Sequence, residues 1–445
     1  MKTWFEFILL LRHTLHENRQ RNRIHPIQTE IDLAAAFVLP TFVSGEIVCV
    51  QYKPNGLGYR FRFSYLDLMA GLYIHIPFCY SRCIYCDFYS NTDMSRRSAY
   101  LDALQQELSL RIGELNGDTI STLYIGGGTP SQLSGEELTR LFGFLSRYID
   151  WNACEEITFE ANPDDLSEEY VELLASLPID RISMGVQSFD DRDLKFLHRR
   201  HSAQTATDAV NRCRTAGFER ISIDLIYGLP HQSADDWQRN IDRAIALDLP
   251  HISAYNLIFE EGTALWRMRE AGKVTECDDD LALTMYARLI DSLTAAGYEH
   301  YEISNFARHG AYARHNTSYW KGIPYLGIGA AAHSFDGTTR RYNPHDLDNY
   351  IRQLLSGRTV YEEERESTDE RYNDRILTSL RTMWGLDLDL LEHDFGTEYL
   401  NFCLRQATPY LHSGKLLRNG STLRLSRSGL FVSDGIMSDL FRVDD

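Results

Sequence analysis

The sequence predicts an α/β protein, an incomplete parallel (βα)6 barrel followed by a C-terminal, mostly helical domain with the outline of a winged helix. Three observations carry this. From residue 71 onward, six short runs rich in β-branched and aromatic residues alternate with stretches of helical spacing. Strand–helix units in succession imply parallel strands joined by right-handed crossovers. Six units fall short of a full eight-unit ring, so closure is incomplete. Beyond residue 361 the alternation gives way to helical segments and one hairpin.

The strands are read as Leu72–Pro77, Thr122–Ile125, Glu156–Glu160, Arg181–Gln187, Arg220–Ile226 and His251–Leu257. After the first, Leu101, Leu104, Leu108 and Ile112 mark one apolar helix face. Ser134-x-x-Glu137 then opens a helix as a capping box, in which each side chain takes a backbone N–H that the first turn leaves unpaired. Later helices start near Ser167, Ser202, Ser233 and Asp278, and several close on glycine, as at Gly217 and Gly297. Barrel topology gives the polar residues Glu160, Gln187, Asp224 and the Gly126–Thr129 loop one address, the carboxyl ends of the strands, where barrel active sites stand.

The C-terminal third begins with the acidic stretch Tyr361–Glu370, read as a solvated linker or helix start. Helices follow near 372–384, 387–394 and 397–406, then a hairpin around Asn419-Gly420 with a type I′ signal, and a last helix from about Arg427. The expected domains are residues 1–68, an N-terminal extension; 69–300, the barrel; 301–360, a connecting segment; and 361–445, the winged-helix-like domain, read as a lid or a docking surface for a partner. Residues 1–68 are close to +2 in charge, show no sustained period, and precede a motif-bearing body that starts abruptly at Met69, which is read as the translation start.

Composition bounds the function. The chain has 445 residues, 43% apolar and 24% charged, as in a globular protein. A net charge of −18 argues against nonspecific binding to nucleic acid or to an anionic membrane, and it makes DNA reading by the winged helix unlike the usual case. The apolar stretch Phe5–Leu11 is broken by Glu6 and too short to span a bilayer, so the expected compartment is the cytoplasm. Cys49, Cys154, Cys213, Cys277 and Cys403 are scattered singly, ordinary usage for a reducing compartment.

The other three cysteines, Cys79, Cys83 and Cys86, form a C-x3-C-x2-C cluster. A structural zinc would need a fourth ligand, for which only His75 is near. A [4Fe–4S] cube held by three thiolates leaves one iron open to an exogenous ligand.

This loop resembles that of the radical S-adenosylmethionine (SAM) enzymes. With the flanking motifs Tyr73–Cys79 (YIHIPFC), Gly126–Pro130 (GGGTP), Ser183–Phe189 (SMGVQSF), Asp224–Pro230 (DLIYGLP) and Tyr301–Ala307 (YEISNFA), the resemblance narrows to the oxygen-independent coproporphyrinogen III oxidase family over residues 71–445. It implies a radical SAM barrel, a [4Fe–4S] cluster on Cys79, Cys83 and Cys86, and SAM bound through its amino and carboxylate groups to the open iron. It also implies that Tyr73, Gly127, Gly128, Thr129, Glu160, Gln187, Arg199 and Asp224 line the SAM pocket, with either Arg199 or Arg200 in the arginine's place, and that the amides of the glycine loop bind SAM's methionine end.

Oxidase members of that family carry a fourth cysteine two residues after the third, where this chain has Phe88. His315-Asn316-Thr317-Ser318-Tyr319-Trp320 resembles instead the signature of the family's heme chaperone branch. That implies heme as cargo, delivered to apo-hemoproteins such as respiratory enzymes, an electron donor for the cluster, and peripheral contact with membranes only through those partners. His315 is the expected heme ligand, with Tyr319 and Trp320 stacking on the porphyrin or packing locally; His333 is a second candidate. No catalytic residue is assigned. The alternative function is oxidative decarboxylation of coproporphyrinogen III.

Overall fold

A computed structural model describes residues 37–43, 46–52, 58–64 and 69–442. The chain divides into two units, Met1–Asp67 and Leu68–Asp445. In the first, β1 (Phe37–Val43), β2 (Glu46–Tyr52) and β3 (Gly58–Ser64) form an antiparallel meander, with Val43 opposite Glu46 and Tyr52 opposite Gly58. The expectation of no strand period upstream of Met69 is thereby corrected. Tyr59, Phe61 and Phe63 alternate with Arg60 and Arg62, a two-residue period.

The second unit is organised by one sheet. Its parallel strands are β4 (Met69–Ile76), β5 (Thr119–Gly127), β6 (Glu156–Ala161), β7 (Arg181–Gln187), β8 (Arg220–Tyr227) and β9 (His251–Asn256), each paired to the next. These are the six expected strands. The second is longer than its apolar run because Thr119-Ile-Ser-Thr continues the pairing through alternating polar residues. Helices cross between them: α1 (Arg97–Arg111), α2 (Gly135–Leu145), α3 (Glu168–Ser176), α4 (Asp191–Phe196), α5 (Ala203–Thr215) and α6 (Ala234–Ala246). Ser134 and Glu137 form the predicted capping box, and Ser167, Ser202 and Ser233 cap the later helices. After β9 come α7 (Ala264–Glu270) and α8 (Asp279–Ala295), the latter capped by Asp278.

Residues 299–365 extend both edges of the same sheet. β10 (Glu299–Glu302) and β11 (Asn305–Ala307) form a hairpin on the β9 side. α9 (Arg314–Trp320) then leads to β12 (Tyr325–Ile328), a seventh parallel strand paired with β4. β13 (His333–Phe335), β14 (Thr339–Tyr342), α10 (Leu347–Leu355) and β15 (Glu362–Arg365) complete that edge. The sheet runs β10-β11-β9-β8-β7-β6-β5-β4-β12-β13-β14-β15 and remains open, an incomplete barrel. The acidic stretch read as a solvated linker or helix start holds the edge strand β15 and then the N-cap of the following helix. Its carboxylates are paired, Glu363 with Arg341 at 2.8 Å and Glu366 with Arg340, and charges on an edge strand also discourage further strand addition.

The C-terminal domain comprises α11 (Thr368–Leu380), β16 (Leu386–Asp387), α12 (Leu388–Phe395), α13 (Thr397–His412), β17 (Leu416–Asn419), β18 (Thr422–Leu425), α14 (Arg427–Leu430) and α15 (Ser433–Asp439). Tyr372, Ile376, Leu391, Cys403 and Leu423 are buried in a core of its own. Asn419 pairs with Thr422, so the turn residues are Gly420-Ser421, not Asn419-Gly420. Gly420 has φ +60° and Ser421 has no positive φ, the type II′ pattern rather than the expected I′.

A buried charge pair ties α1 to the β12 edge. Arg111 and Glu107 meet at 2.7 Å with both side chains essentially inaccessible. The Glu107 carboxylate also accepts from the Gly329 amide at 2.8 Å, Asn343 Nδ2 at 2.7 Å and the Tyr350 hydroxyl at 2.6 Å, while Arg111 donates to the Ser334 hydroxyl at 3.0 Å. A buried pair is tolerable when its remaining hydrogen-bonding capacity is met in this way. Glu107→Ala strips the Gly329 amide, Asn343 Nδ2, the Tyr350 hydroxyl and Arg111 Nη1 of their buried acceptor, although Glu114 still pairs with Arg111 at 2.9 Å, and we expect a loss of about 3–5 kcal/mol, measured by chemical denaturation of the full chain; a loss under about 1 kcal/mol would contradict this reading of the network.

Candidate metal centre and cofactor face

β4 ends at Ile76, and the chain enters the cysteine loop. The loop is closed on itself by backbone hydrogen bonds, Asn91 N–H to the Pro77 carbonyl at 2.5 Å and Cys79 N–H to the Asn91 carbonyl at 3.0 Å. Cys79 is buried, Cys83 and Cys86 are half-buried, and all three thiols are free. Tyr80 and Phe88 stand on the same loop, each 68% exposed. Burial raises the Cys79 thiol and pushes Cys86 up to about 11, so the thiolate form needs a cation or a metal beside it.

The glycine run after β5 presses against this loop. A Cβ on Gly128 would lie 3.0 Å from the Ile76 carbonyl and Phe78 nitrogen and 3.1 Å from Cys79 Sγ. Gly127 sits at φ +111°, and a Cβ there would meet the His75 ring at 2.6 Å. The glycines are needed for this approach. Their amides serve the protein itself: Gly128 N–H donates to the Ile76 carbonyl at 2.9 Å and Gly127 N–H to Glu160 Oε2 at 3.1 Å. Both amides of the loop expected to meet SAM are thus engaged within the protein, and the loop contributes shape. Thr129 completes the wall, its hydroxyl 3.3 Å from Cys79 Sγ.

The residues fit a three-thiolate cluster better than zinc. His75, the one nearby candidate for a fourth ligand, has Nδ1 engaged by the Tyr73 hydroxyl at 3.0 Å and Nε2 by the Tyr89 carbonyl at 3.1 Å. Its basicity falls to about 4, chiefly through burial, opposed by the Tyr89 carbonyl and reinforced by His345 and His333. Among the described residues no three His, Cys, Asp or Glu side chains are grouped as one ion requires. Thiolates of a cube bind different irons and need not meet at a point.

The carboxyl ends of the strands supply the cofactor face. Arg199 is the arginine that enters it. Its Nη1 donates to Cys83 Sγ at 3.3 Å, and its Nη2 to the Gly185 carbonyl at 2.7 Å and to Asn162 Oδ1 at 2.5 Å. Arg200 turns outward, onto Asp164, Asp165 and the Tyr80 ring. Glu160 accepts from the Tyr124 hydroxyl at 2.5 Å, and burial first, then the Asp224 charge, raises its carboxyl to about 7. Asp224 is raised to about 6, again mainly by burial. Gln187 adopts φ +67° at a bulge against β8, which redirects the chain at the rim. Tyr73, Glu160, Gln187, Arg199 and Asp224 thus come to one end of the sheet with the cysteines. Tyr124 and Asn162 were not foreseen; Tyr124 reads in the sequence as one more residue of an apolar strand run, between Leu123 and Ile125.

His315 has a different place. Its Nδ1 is bonded to the Thr122 hydroxyl at 2.8 Å and its Nε2 to the Tyr319 hydroxyl at 2.7 Å, and the ring stacks on Tyr124 at 5.3 Å. Glu156 takes the N–H groups of Arg314 and His315, both at 3.0 Å, fastening the start of α9. The side chain is buried, which lowers its basicity to about 3. Along β5 the Thr122 position lies about 17 Å from Gly127 at about 3.3 Å per residue. Both ring nitrogens of His315, the expected heme ligand, are thus engaged within the protein. Tyr319 packs edge-on to Tyr325 at 4.6 Å, and Trp320 lies under the Arg381 guanidinium at 4.3 Å, so the motif docks α9 between the sheet and α11. His333, the second candidate, is exposed at the start of β13.

A model described as the Radical SAM superfamily matches residues 73–244, and one described as the HemN C-terminal domain matches residues 367–432. The chain is 34% identical over 376 residues to "Heme chaperone HemW" of Lactococcus lactis, covering 84% of this chain and 97% of that protein. It is 35% identical over 376 residues to the protein of the same name from Mycobacterium tuberculosis, covering 83% and 94%. A solved structure of coproporphyrinogen III oxidase (HemN) from Escherichia coli superposes with a TM-score of 0.74 at 24% identity over 85% of this chain and 91% of that one, which establishes the shared fold.

Gly128→Ala should cut iron and sulfide incorporation on anaerobic reconstitution to less than half, whereas Gly143→Ala, at a position with no atom within 4 Å of a new Cβ, should leave it unchanged. Equal incorporation by both variants would show that loop contact is not what shapes the cysteine site.

Proposed function

We propose that this chain, which belongs to the HemW family of heme chaperones within the radical SAM superfamily, binds heme and hands it to apo-hemoproteins. The observation that carries the reading is Phe88, 68% exposed on the cysteine loop where the resemblance to oxidase members calls for a further cysteine. The radical SAM domain implies a [4Fe–4S] cluster and SAM. Cys79, Cys83 and Cys86 would hold three irons of the cube, and Tyr73, Gly127, Gly128, Thr129, Glu160, Gln187, Arg199 and Asp224 would surround SAM at the fourth. When bound, cluster and SAM supply reductive chemistry at that iron.

The chain's own residues prepare the site. Arg199 places a fixed cation 3.3 Å from Cys83 Sγ. Glu160 orients Tyr124 and the Gly127 amide, and Asp224, with its raised carboxyl, adds an acceptor in the same face. Gly128 and Thr129 close the wall behind Cys79. Respiratory enzymes are the proposed acceptors, and the cluster's electrons come from an external donor. No helix among the described residues is long and apolar enough to cross a membrane, and the cytoplasm is the proposed compartment.

Two assays on the full chain test this. Anaerobic reconstitution should give about four irons and four sulfides per chain, abolished by Cys83→Ala, and heme should bind with a saturable absorbance change. Coproporphyrinogen III incubated with the reduced, SAM-supplied protein should stay unconverted. Accumulation of protoporphyrinogen IX would overturn the chaperone reading in favour of an oxidase.

A further inference from the structure

A strand–helix barrel usually fills its interior with Val, Ile and Leu; this one does not. Along β5, β6 and β7 the positions on the face shared by Tyr124 and Glu160 are Thr122 and Tyr124, Glu156, Thr158 and Glu160, and Arg181 and Ser183. The alternate positions, such as Leu123, Phe159 and Ile182, carry the apolar core. The concave face is therefore polar. Toward its rim Tyr73, Tyr124, Glu160 and Asp224 keep solvent contact although they stand on inner strands of the sheet, and Tyr255 on β9 is 42% exposed.

Below that rim lies a floor of buried polar groups, and most of them are paired. Ser222 Oγ and the Tyr301 hydroxyl take the two nitrogens of His251, each at 2.7 Å, and Ser253 donates to Asn305 Oδ1 at 2.9 Å. Arg181 is the exception. It is 3% exposed, and its guanidinium makes no hydrogen bond among the described residues. The one carboxylate within reach there is Glu156, whose Oε2 stands 4.0 Å away and already takes the Arg314 N–H, while Oε1 takes that of His315. Thr158, the register partner of Arg181 on β6, is fully buried with its Oγ1 unpartnered as well. A guanidinium taken out of water needs an anion or acceptors to offset its lost hydration, and its planar fork matches a carboxylate.

We infer that Arg181 anchors a propionate carboxylate of heme held inside the barrel, with the Thr158 hydroxyl as a second donor, an inference that rests on the heme-binding reading above. The tyrosines on the same concave face offer the flat surfaces that a macrocycle packs against. The span agrees with the ligand. Thr122, which bonds His315, is on β5 and Arg181 on β7, two strand spacings or about 10 Å apart, comparable with the distance from a heme iron to its propionates. In a chain of net charge −18, a local cation is also what a dianionic porphyrin requires.

The test titrates hemin and hemin dimethyl ester, whose propionates are masked, into the cluster-loaded full chain and follows the Soret band. The wild type should bind the ester at least tenfold more weakly than hemin. Arg181→Met should bind hemin as weakly as the ester and show no preference between them, with ester affinity, iron–sulfur content and SAM binding unchanged. If that variant does not fold, Arg181→Lys serves: an ammonium keeps the charge without the two-pronged fork and should narrow the preference at least threefold. A wild type that takes both porphyrins equally, or a folded Arg181 variant that keeps the full preference, overturns this site while leaving heme binding intact. Loss of SAM affinity in Arg181→Met with the hemin preference kept assigns the guanidinium to SAM's carboxylate and overturns it too. A wild type that takes up no hemin overturns the chaperone reading and this site with it.

Discussion

Everything at the carboxyl end of the sheet depends on how closely the loop after β5 can approach the loop after β4. At Gly128 the two backbones and Cys79 Sγ leave no room for a methyl group. That contact fixes the buried thiol against Thr129 and brings Glu160 under the Gly127 amide. Arg199 then reaches across from the turn between α4 and α5, linking Cys83 to Gly185 and Asn162 in one set of hydrogen bonds. Strand order makes this possible, since β4 to β7 are consecutive neighbours and their loops emerge side by side.

Behind the site, two buried polar devices hold the elements that the parallel strands alone would not fix. Glu107 and Arg111 anchor the β12 edge to α1, and through Gly329 and Asn343 they fix the turn after β12 against the end of β14. His315, Tyr319 and Glu156 anchor α9 under the amino ends of β4 to β6; a Cβ on Gly71 would crowd the His315 ring at 3.1 Å. Each network joins residues more than a hundred positions apart, and each leaves few buried groups without partners.

The six barrel strands were legible because buried parallel strands are written as apolar runs, and the helix starts because Ser134, Ser167, Ser202 and Ser233 are caps with local signatures. The cysteine spacing was equally plain. What stayed hidden depends on distant partners. β12 is four residues with a glycine inside, and its pairing with β4 across some 250 residues leaves no local mark. The acidic run became a strand because Arg340 and Arg341 face it from β14. The surroundings of His315 were hidden because a motif names residues without saying which partners their polar atoms take; Thr122, which engages one nitrogen, lies 193 positions away.

The central claim is that three thiolates leave one iron of the cluster open. Electron–nuclear double resonance on the reduced, reconstituted chain with SAM carrying 17O in its carboxylate addresses it directly. The account predicts a hyperfine coupling from that oxygen to the cluster, lost when SAM is omitted. Absence of the coupling in protein that holds a full cluster and binds SAM would contradict it, since it would mean that a fourth ligand from the protein or solvent keeps the iron closed.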